Sequence, residues 1–184
     1  PGVLLDDRKF RLRAFHVSHR GPDCFGFAFE EKDHRPFLVE QAEALGVPPG
    51  PERRQLVAGQ PVTLPDGRVI TPDQVLGEAI PGARLVFVGD AGRTDTLVRE
   101  VHGADLLVIE ATYLEEEADM ARQFGHLTAA QAARLAAEAQ VQRLCLTHIS
   151  RRHQANAVLA EAQPIFANVH VASDFDHLKV TRQR

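Results

Sequence analysis

From about residue 82 onward, short apolar runs alternate with helical stretches, and this alternation limits the fold more than any other feature of the chain. "RLVFVGD" (84–90), "ADLLVIEA" (104–111) and "QRLCLTH" (142–148) read as strands. "TDTLVREVHG" (94–103) reads as a short helix, with Thr94 as its N-cap and Gly103 just past its end. "TAAQAARLAAEAQ" (128–140) is the clearest helix. Thr128 and Gln131 stand at capping-box spacing, and Ala and Leu fill its interior. "QANAVLAEAQ" (154–163) reads as a further helix, and "NVHVAS" (168–173) and "DFDHLKV" (174–180) as strands. Strands alternating with helices imply an α/β fold, a parallel or mixed sheet with crossover helices.

Parallel strands joined by crossovers end on one edge of the sheet, and ligands of such sheets bind outside that edge. Three apolar runs end in Asp90, Glu110 and His148, and His126 stands just before the capped helix. These four residues are therefore expected to converge although they are scattered along the chain. Imidazole and carboxylate are the usual ligands of zinc and related divalent metals. A carboxylate can bridge two cations, and two metals about 3.5–4 Å apart clamp a phosphate ester and lower the pKa of water to about 7. A spare histidine can protonate a leaving group. Arg151 and Arg152 carry the forked donors that suit a phosphate. Taken singly, each residue has an ordinary structural explanation: Asp90 as a turn former, Glu110 as acceptor for a helix terminus, His126 and His148 as local hydrogen-bonders, the arginines as a solvated pair. Their shared position at strand ends is what points to a hydrolase site.

The N-terminal part is different. "RKFRLRAFHVSH" (8–19) alternates apolar and polar residues, and "CFGFAFEE" (24–31) is a Phe-rich strand in which Gly26 marks a bulge or a close contact. With the turn residues "HRGPD" between them they form a hairpin that carries His19 at its connecting end. Residues 31–80 are broken repeatedly by proline, with one short helix in "FLVEQAEALG" (37–46) and a hairpin about Asp66-Gly67. This region reads as an arm or insertion. A net charge of −4 gives no general nucleic-acid footprint. Two cysteines, Cys24 and Cys145, do not make a disulfide framework and fit free thiols in a reducing, cytoplasmic setting. No apolar run approaches membrane-spanning length, and the first residues lack the pattern of a secretory leader.

The segments "FVGDAGRTDTL", "ADLLVIEATYLEEEADMARQFGHLTAAQAARLA" and "LCLTHISRRH", in this order, resemble the C-terminal half of the ribonuclease Z family, tRNA 3′-processing endonucleases of the αββα metallo-β-lactamase fold. "VSHRGPDCFGF" is similar to that family's segment with a metal-binding histidine, and "EALGVPPGPERRQLVAGQPVTLPDGRVITPDQVLG" to its arm. The resemblance covers about residues 10 to 180. It implies that His19 is a ligand of one zinc, Asp90 the bridge between two zinc ions, and His148 a ligand of the second. It implies that His126, in "HLT", acts on the phosphate or the leaving group, that Glu110 is the acid of the family's "HEAT" motif, and that Arg152 lies near the phosphate. It also implies a precursor tRNA substrate gripped by the arm, with Lys32, Arg35, Arg53 and Arg54 as its cations, a homodimer, and no membrane partner.

This chain departs from the family's motifs in three places. Ile109 stands where "HEAT" has His, and Ala91 where "GDT" has Thr. The signature "HxHxDH", which supplies most of the family's metal ligands, does not occur in the sequence. As given, the chain is therefore expected to be a C-terminal portion of the fold and to hydrolyse little alone. Two other readings stand beside the tRNA nuclease: a hydrolase of the same fold acting on small phosphodiesters or other esters, and a non-catalytic binding or assembly module.

Overall fold

The computed structural model describes residues 1–182. In chain order the elements are β1 (Gly2–Asp6), β2 (Phe10–His16), β3 (Phe25–Glu31), α1 (Val39–Ala44), α2 (Pro51–Val57), β4 (Val62–Thr63), β5 (Val69–Ile70), β6 (Arg84–Phe87), α3 (Val98–Val101), β7 (Leu106–Glu110), α4 (Ala118–Phe124), α5 (Ala129–Glu138), β8 (Leu144–Thr147), α6 (Ala155–Ala162) and β9 (Val169–Val171). They divide into two compact units, one of residues up to Lys32 and from Gly82 on, the other Asp33–Pro81.

The larger unit is built on a mixed seven-stranded sheet, ordered β1-β2-β3-β6-β7-β8-β9. The first four strands pair antiparallel, and β6 through β9 run parallel. The expected β2–β3 hairpin is present, with Phe15 opposite Gly26. A Cβ at Gly26 would lie 2.4 Å from the Phe15 ring, so the glycine makes room for that ring. β1, fully exposed, gives no alternation to read and was not expected.

Period-two alternation assigns the two sheet faces. Phe15, Ala28, Val86, Leu107, Ile109, Leu144 and Leu146 point to one face and join the main core. α5 closes that core with Ala129, Ala132, Ala133 and Ala136, small enough to bring the helix close to the strands. The Thr128–Gln131 capping box forms as expected: Thr128 Oγ1 accepts from Gln131 N at 3.1 Å, and Gln131 Oε1 accepts from Thr128 N at 2.9 Å. The opposite face carries Phe27 and Phe87, directly paired across β3 and β6 and both exposed. Cys145 lies buried on β8, where loss of hydration pushes its thiol up from the ordinary range, and Cys24 is half-buried; both are free.

Three local expectations differ. α3 is a single turn that begins after Leu97, and Thr94 supplies only its backbone carbonyl to Leu97 N, because the chain is still turning at Thr94. Residues 174–180 form no strand. Asp176 accepts from Ser173 N and from the His170 ring, which closes a turn, and Phe175 sits at φ 71° with 94% of its surface exposed. α4 was not anticipated, since its large apolar residues do not all point inward.

The smaller unit has its own core of Ala42, Val47, Leu56, Val62, Leu64, Ile70 and Val75. α1 and the β4–β5 hairpin fall where expected, with Gly67 at φ +85° in the turn. α2 was missed because Pro51 reads as a breaker. It occupies the first helical position, where the absent N–H costs nothing. Among the described residues no helix is long and apolar enough to cross a membrane.

Candidate metal centre

Three strand ends, one hairpin connection and one helix–helix connection bring the candidate residues together. β6 ends just before Asp90, β7 ends in Glu110, and β8 ends just before His148. Because β6, β7 and β8 are parallel neighbours, these ends share one edge. His126 enters from the connection between α4 and α5, and His19 from the β2–β3 connection.

The Asp90 carboxylate faces two imidazoles with its two oxygens. Its Oδ2 is 4.0 Å from His19 Nε2, and its Oδ1 is 3.6 Å from His148 Nε2. The ligand atoms of His19, Asp90 and His126 all lie within 4.8 Å of one another. The His126 ring centroid is 5.1 Å from that of His19 and 5.4 Å from that of His148. Imidazoles and a carboxylate clustered in this way are a donor set that fits a divalent metal.

The ring orientations are fixed from behind. His19 Nδ1 is 2.6 Å from the Gly125 carbonyl. A carbonyl only accepts, so Nδ1 carries the hydrogen and Nε2 is the ring nitrogen left facing Asp90. The next residue repeats the attachment, as Arg20 Nε donates to the Phe124 carbonyl at 2.9 Å. Gly125 ends α4 at φ 71°, which turns these two carbonyls out of the helix. A third tie is Gly92 N donating to Ser18 O at 2.6 Å.

Glu110 is the buried centre of the arrangement. It is fully enclosed, and its oxygens accept from Ala91 N (2.7 Å), His126 Nδ1 (2.9 Å), Leu127 N (3.2 Å) and Thr112 Oγ1 (2.6 Å). One carboxylate thus anchors the residue after Asp90, the ring of His126 and the residue after His126. With Nδ1 donating to Glu110, His126 presents Nε2 to the centre. Thr112 Oγ1 is also 3.0 Å from the His148 carbonyl. His148 adopts φ 54°, a left-handed conformation uncommon outside glycine.

Arg152 stands at the rim and does not join the cluster of histidines. Its guanidinium lies 5.6 Å over the Tyr113 ring, whose centroid is 6.1 Å from His126, and its Nη2 is 3.2 Å from Glu117 Oε1. Glu117 also accepts from His153 Nε2 at 2.6 Å. Glu115 is held below the ordinary glutamate range, chiefly by the Thr128 hydroxyl and further by Arg134. Sequence reasoning missed Gly125, Thr112, Glu117 and His153. Thr112 follows Glu110 at a strand end and was open to suspicion; a backbone carbonyl leaves no trace in sequence. Ile109 and Ala91, two of the three departures from the family's motifs, are both packed in the main core.

A family model described as "Beta-lactamase superfamily domain" matches residues 57–149, just over half of the chain. A ribonuclease Z from Bradyrhizobium sp. (strain ORS 278) is 51% identical over 180 residues, covering 98% of this chain and 60% of that protein. The chain spans about 60% of the length of the curated relatives it matches. Among solved structures, the short form of human tRNase Z superposes with a TM-score of 0.57 at 24% identity, over 98% of this chain and 48% of that one. Zn(2+)-bound PqqB from Methylobacterium extorquens superposes with a TM-score of 0.53 at 15% identity, over 94% and 47%. The last two are likenesses of fold. The resemblance to ribonuclease Z read from the motifs therefore holds across almost the whole sequence, and with the mixed sheet and its strand-end cluster it leads to one conclusion: this chain belongs to the beta-lactamase superfamily and has the metallo-β-lactamase fold.

Proposed function

We propose that this protein is a zinc-dependent phosphodiesterase of the ribonuclease Z type, acting as an endoribonuclease in the 3′ processing of precursor tRNA. The observation that carries the proposal is Asp90, whose two oxygens lie one toward His19 at 4.0 Å and one toward His148 at 3.6 Å. Identity of 51% to a ribonuclease Z supports the choice of substrate.

In this reading His19, Asp90 and His148 would hold zinc, two ions in all, with Asp90 facing both histidines. Zinc there would supply a water acidic enough to attack at neutral pH and positive charge for the phosphate oxygens. The chain's own groups do the rest. Glu110 fixes Ala91 and so the approach of Asp90, and it holds the Nδ1–H of His126. His126, its ring oriented by Glu110, can then present Nε2 as the proton donor to the departing oxygen. Arg152, stacked over Tyr113, takes a phosphate oxygen at the rim. The unit Asp33–Pro81 serves as the arm that grips the tRNA. Its cations are largely committed: Arg35 to Asp73 and Arg53 to the Val47 carbonyl, so the grip rests on shape more than on charge. A cytoplasmic homodimer completes the reading.

The test is an assay of the purified gene product, loaded with zinc, on a precursor tRNA with a 3′ trailer and on bis(p-nitrophenyl) phosphate. Cleavage at the junction of tRNA and trailer is expected. Activity on the small ester alone would replace the tRNA with a small phosphodiester, and activity on neither would leave only a binding module.

A further inference from the structure

We propose that Phe124, Met120 and Arg20 form a stacking platform for an unpaired base of single-stranded RNA beside the reacting phosphodiester. The inference rests on the ribonuclease reading and adds to it a subsite for the strand next to the cut.

α4 places two large apolar side chains outward: Phe124 is 39% exposed and Met120 is 37% exposed. Four residues apart on a helix, they lie on one face. That face adjoins the metal centre, because Phe124 is followed by Gly125, which holds the His19 ring, and then by His126. Buried apolar surface would need no cations around it. Here guanidinium groups stand at both ends. Arg20 lies 5.7 Å over the Phe124 ring and is tied down by its bond to the Phe124 carbonyl. Arg152 Nη2 is 3.5 Å from Met120 Sδ, and the same group covers Tyr113 beside His126.

The strip from Arg20 through Phe124 and Met120 to Arg152 thus offers an aromatic face, a polarizable thioether and two cations as successive neighbours. Single-stranded nucleic acid is bound by this combination: bases stack on aromatic faces while arginines take the phosphates between them. Arg152 shares its charge with Glu117, so Arg20 is the stronger phosphate contact of the two. A second protein chain would gain from the apolar residues but would have to desolvate both guanidinium groups. The charge therefore favours RNA.

The test is a binding titration of the gene product with short fluorescent oligoribonucleotides that lack a tRNA body, each with an abasic nucleotide at a different position. Phe124→Ala should weaken binding of the unmodified strand about tenfold, the size of effect one lost base–aromatic stack produces. Phe124→Trp should bind as the wild type does, which shows that the loss is aromatic and not a folding defect. One abasic position should reproduce the tenfold loss in the wild type and add nothing in Phe124→Ala. Strand binding that ignores Phe124, in a protein that still cleaves precursor tRNA, would overturn the platform and spare the nuclease reading. No strand binding and no cleavage would overturn both. Self-association in sedimentation that Phe124→Ala abolishes, without RNA binding, would assign the face to a second copy and overturn the platform.

Discussion

Glu110 accepts from His126 Nδ1 at 2.9 Å with none of its own surface exposed to solvent. Three further donors, Ala91 N, Leu127 N and Thr112 Oγ1, meet the same carboxylate. A buried charge is tolerable only when so enclosed by donors. The arrangement couples stability to the site, because the groups that satisfy the carboxylate belong to the loops of Asp90 and His126.

Glu110→Ala should therefore cost about 3–5 kcal/mol in urea unfolding, since it leaves several buried donors unpaired. Glu110→Gln keeps the shape but replaces one acceptor oxygen by a donor that faces donors, and should cost about 1–3 kcal/mol. A Gln variant as stable as the wild type would show that the carboxylate is not the acceptor for all four groups.

Asp90 and His126 should separate in a metal assay. Asp90→Ala removes the group that faces both His19 and His148, so elemental analysis after dialysis should find zinc content reduced along with activity. His126→Ala should lower the rate about 10²–10⁴-fold and leave zinc nearly unchanged, as expected for a proton donor. Because His126 also falls within 4.8 Å of the His19 and Asp90 ligand atoms, the result decides its role. Zinc lost equally in both variants would make His126 a ligand.

Strand ends were the legible part of this molecule. Asp90, Glu110 and His148 each follow an apolar run, and the topology of a parallel sheet does the rest. The hairpin that carries His19 at its connecting end was legible too, while the place of His19 in the site came from the family resemblance alone. What sequence could not carry is pairing at a distance. The Gly125 carbonyl on His19, and Glu117 between Arg152 and His153, depend on where the two ends of α4 lie in space. α4 itself follows the acidic run Glu115–Glu117 and turns Met120 and Phe124 outward, so it lacks the inward stripe that marks a helix. The opposite error, a strand at residues 174–180, arose because apolar alternation alone says nothing of the turn that Asp176 closes.

Glu115 gives a dependence on acidity that can be worked out in sign. Its carboxylate accepts from the Thr128 hydroxyl at 2.6 Å and pairs with Arg134 at 2.8 Å, and these contacts lower its pKa. A lowered carboxylate contributes stability above the unfolded pKa, and the contribution is lost as pH falls through the folded value. The gap in unfolding free energy between wild type and Glu115→Gln should be present at pH 7 and close below about pH 4, the ordinary glutamate range. Because the group is nearly half exposed, salt should shrink the Arg134 part of the gap. A gap that widened on acidification would contradict the assignment.

His148 holds strain at the centre. Its φ of 54° is costly for a residue with a Cβ, of order 1–3 kcal/mol, and cheap for glycine. The chain keeps it there while β8 is locked in register with β7 and the His148 carbonyl lies beside Thr112 Oγ1. The imidazole is thereby swung off the strand toward Asp90. His148→Gly and His148→Ala both delete the ring, so neither should bind zinc as the wild type does, and in the folded state the two differ in whether the left-handed backbone is penalised. In metal-free urea unfolding the Gly variant should be more stable than the Ala variant by about 1 kcal/mol, even though glycine is the worse choice almost everywhere else because of its unfolded-state entropy. An Ala variant equal to or more stable than the Gly variant would mean that the backbone at 148 relaxes freely, and the strain would then have no part in aiming the ring.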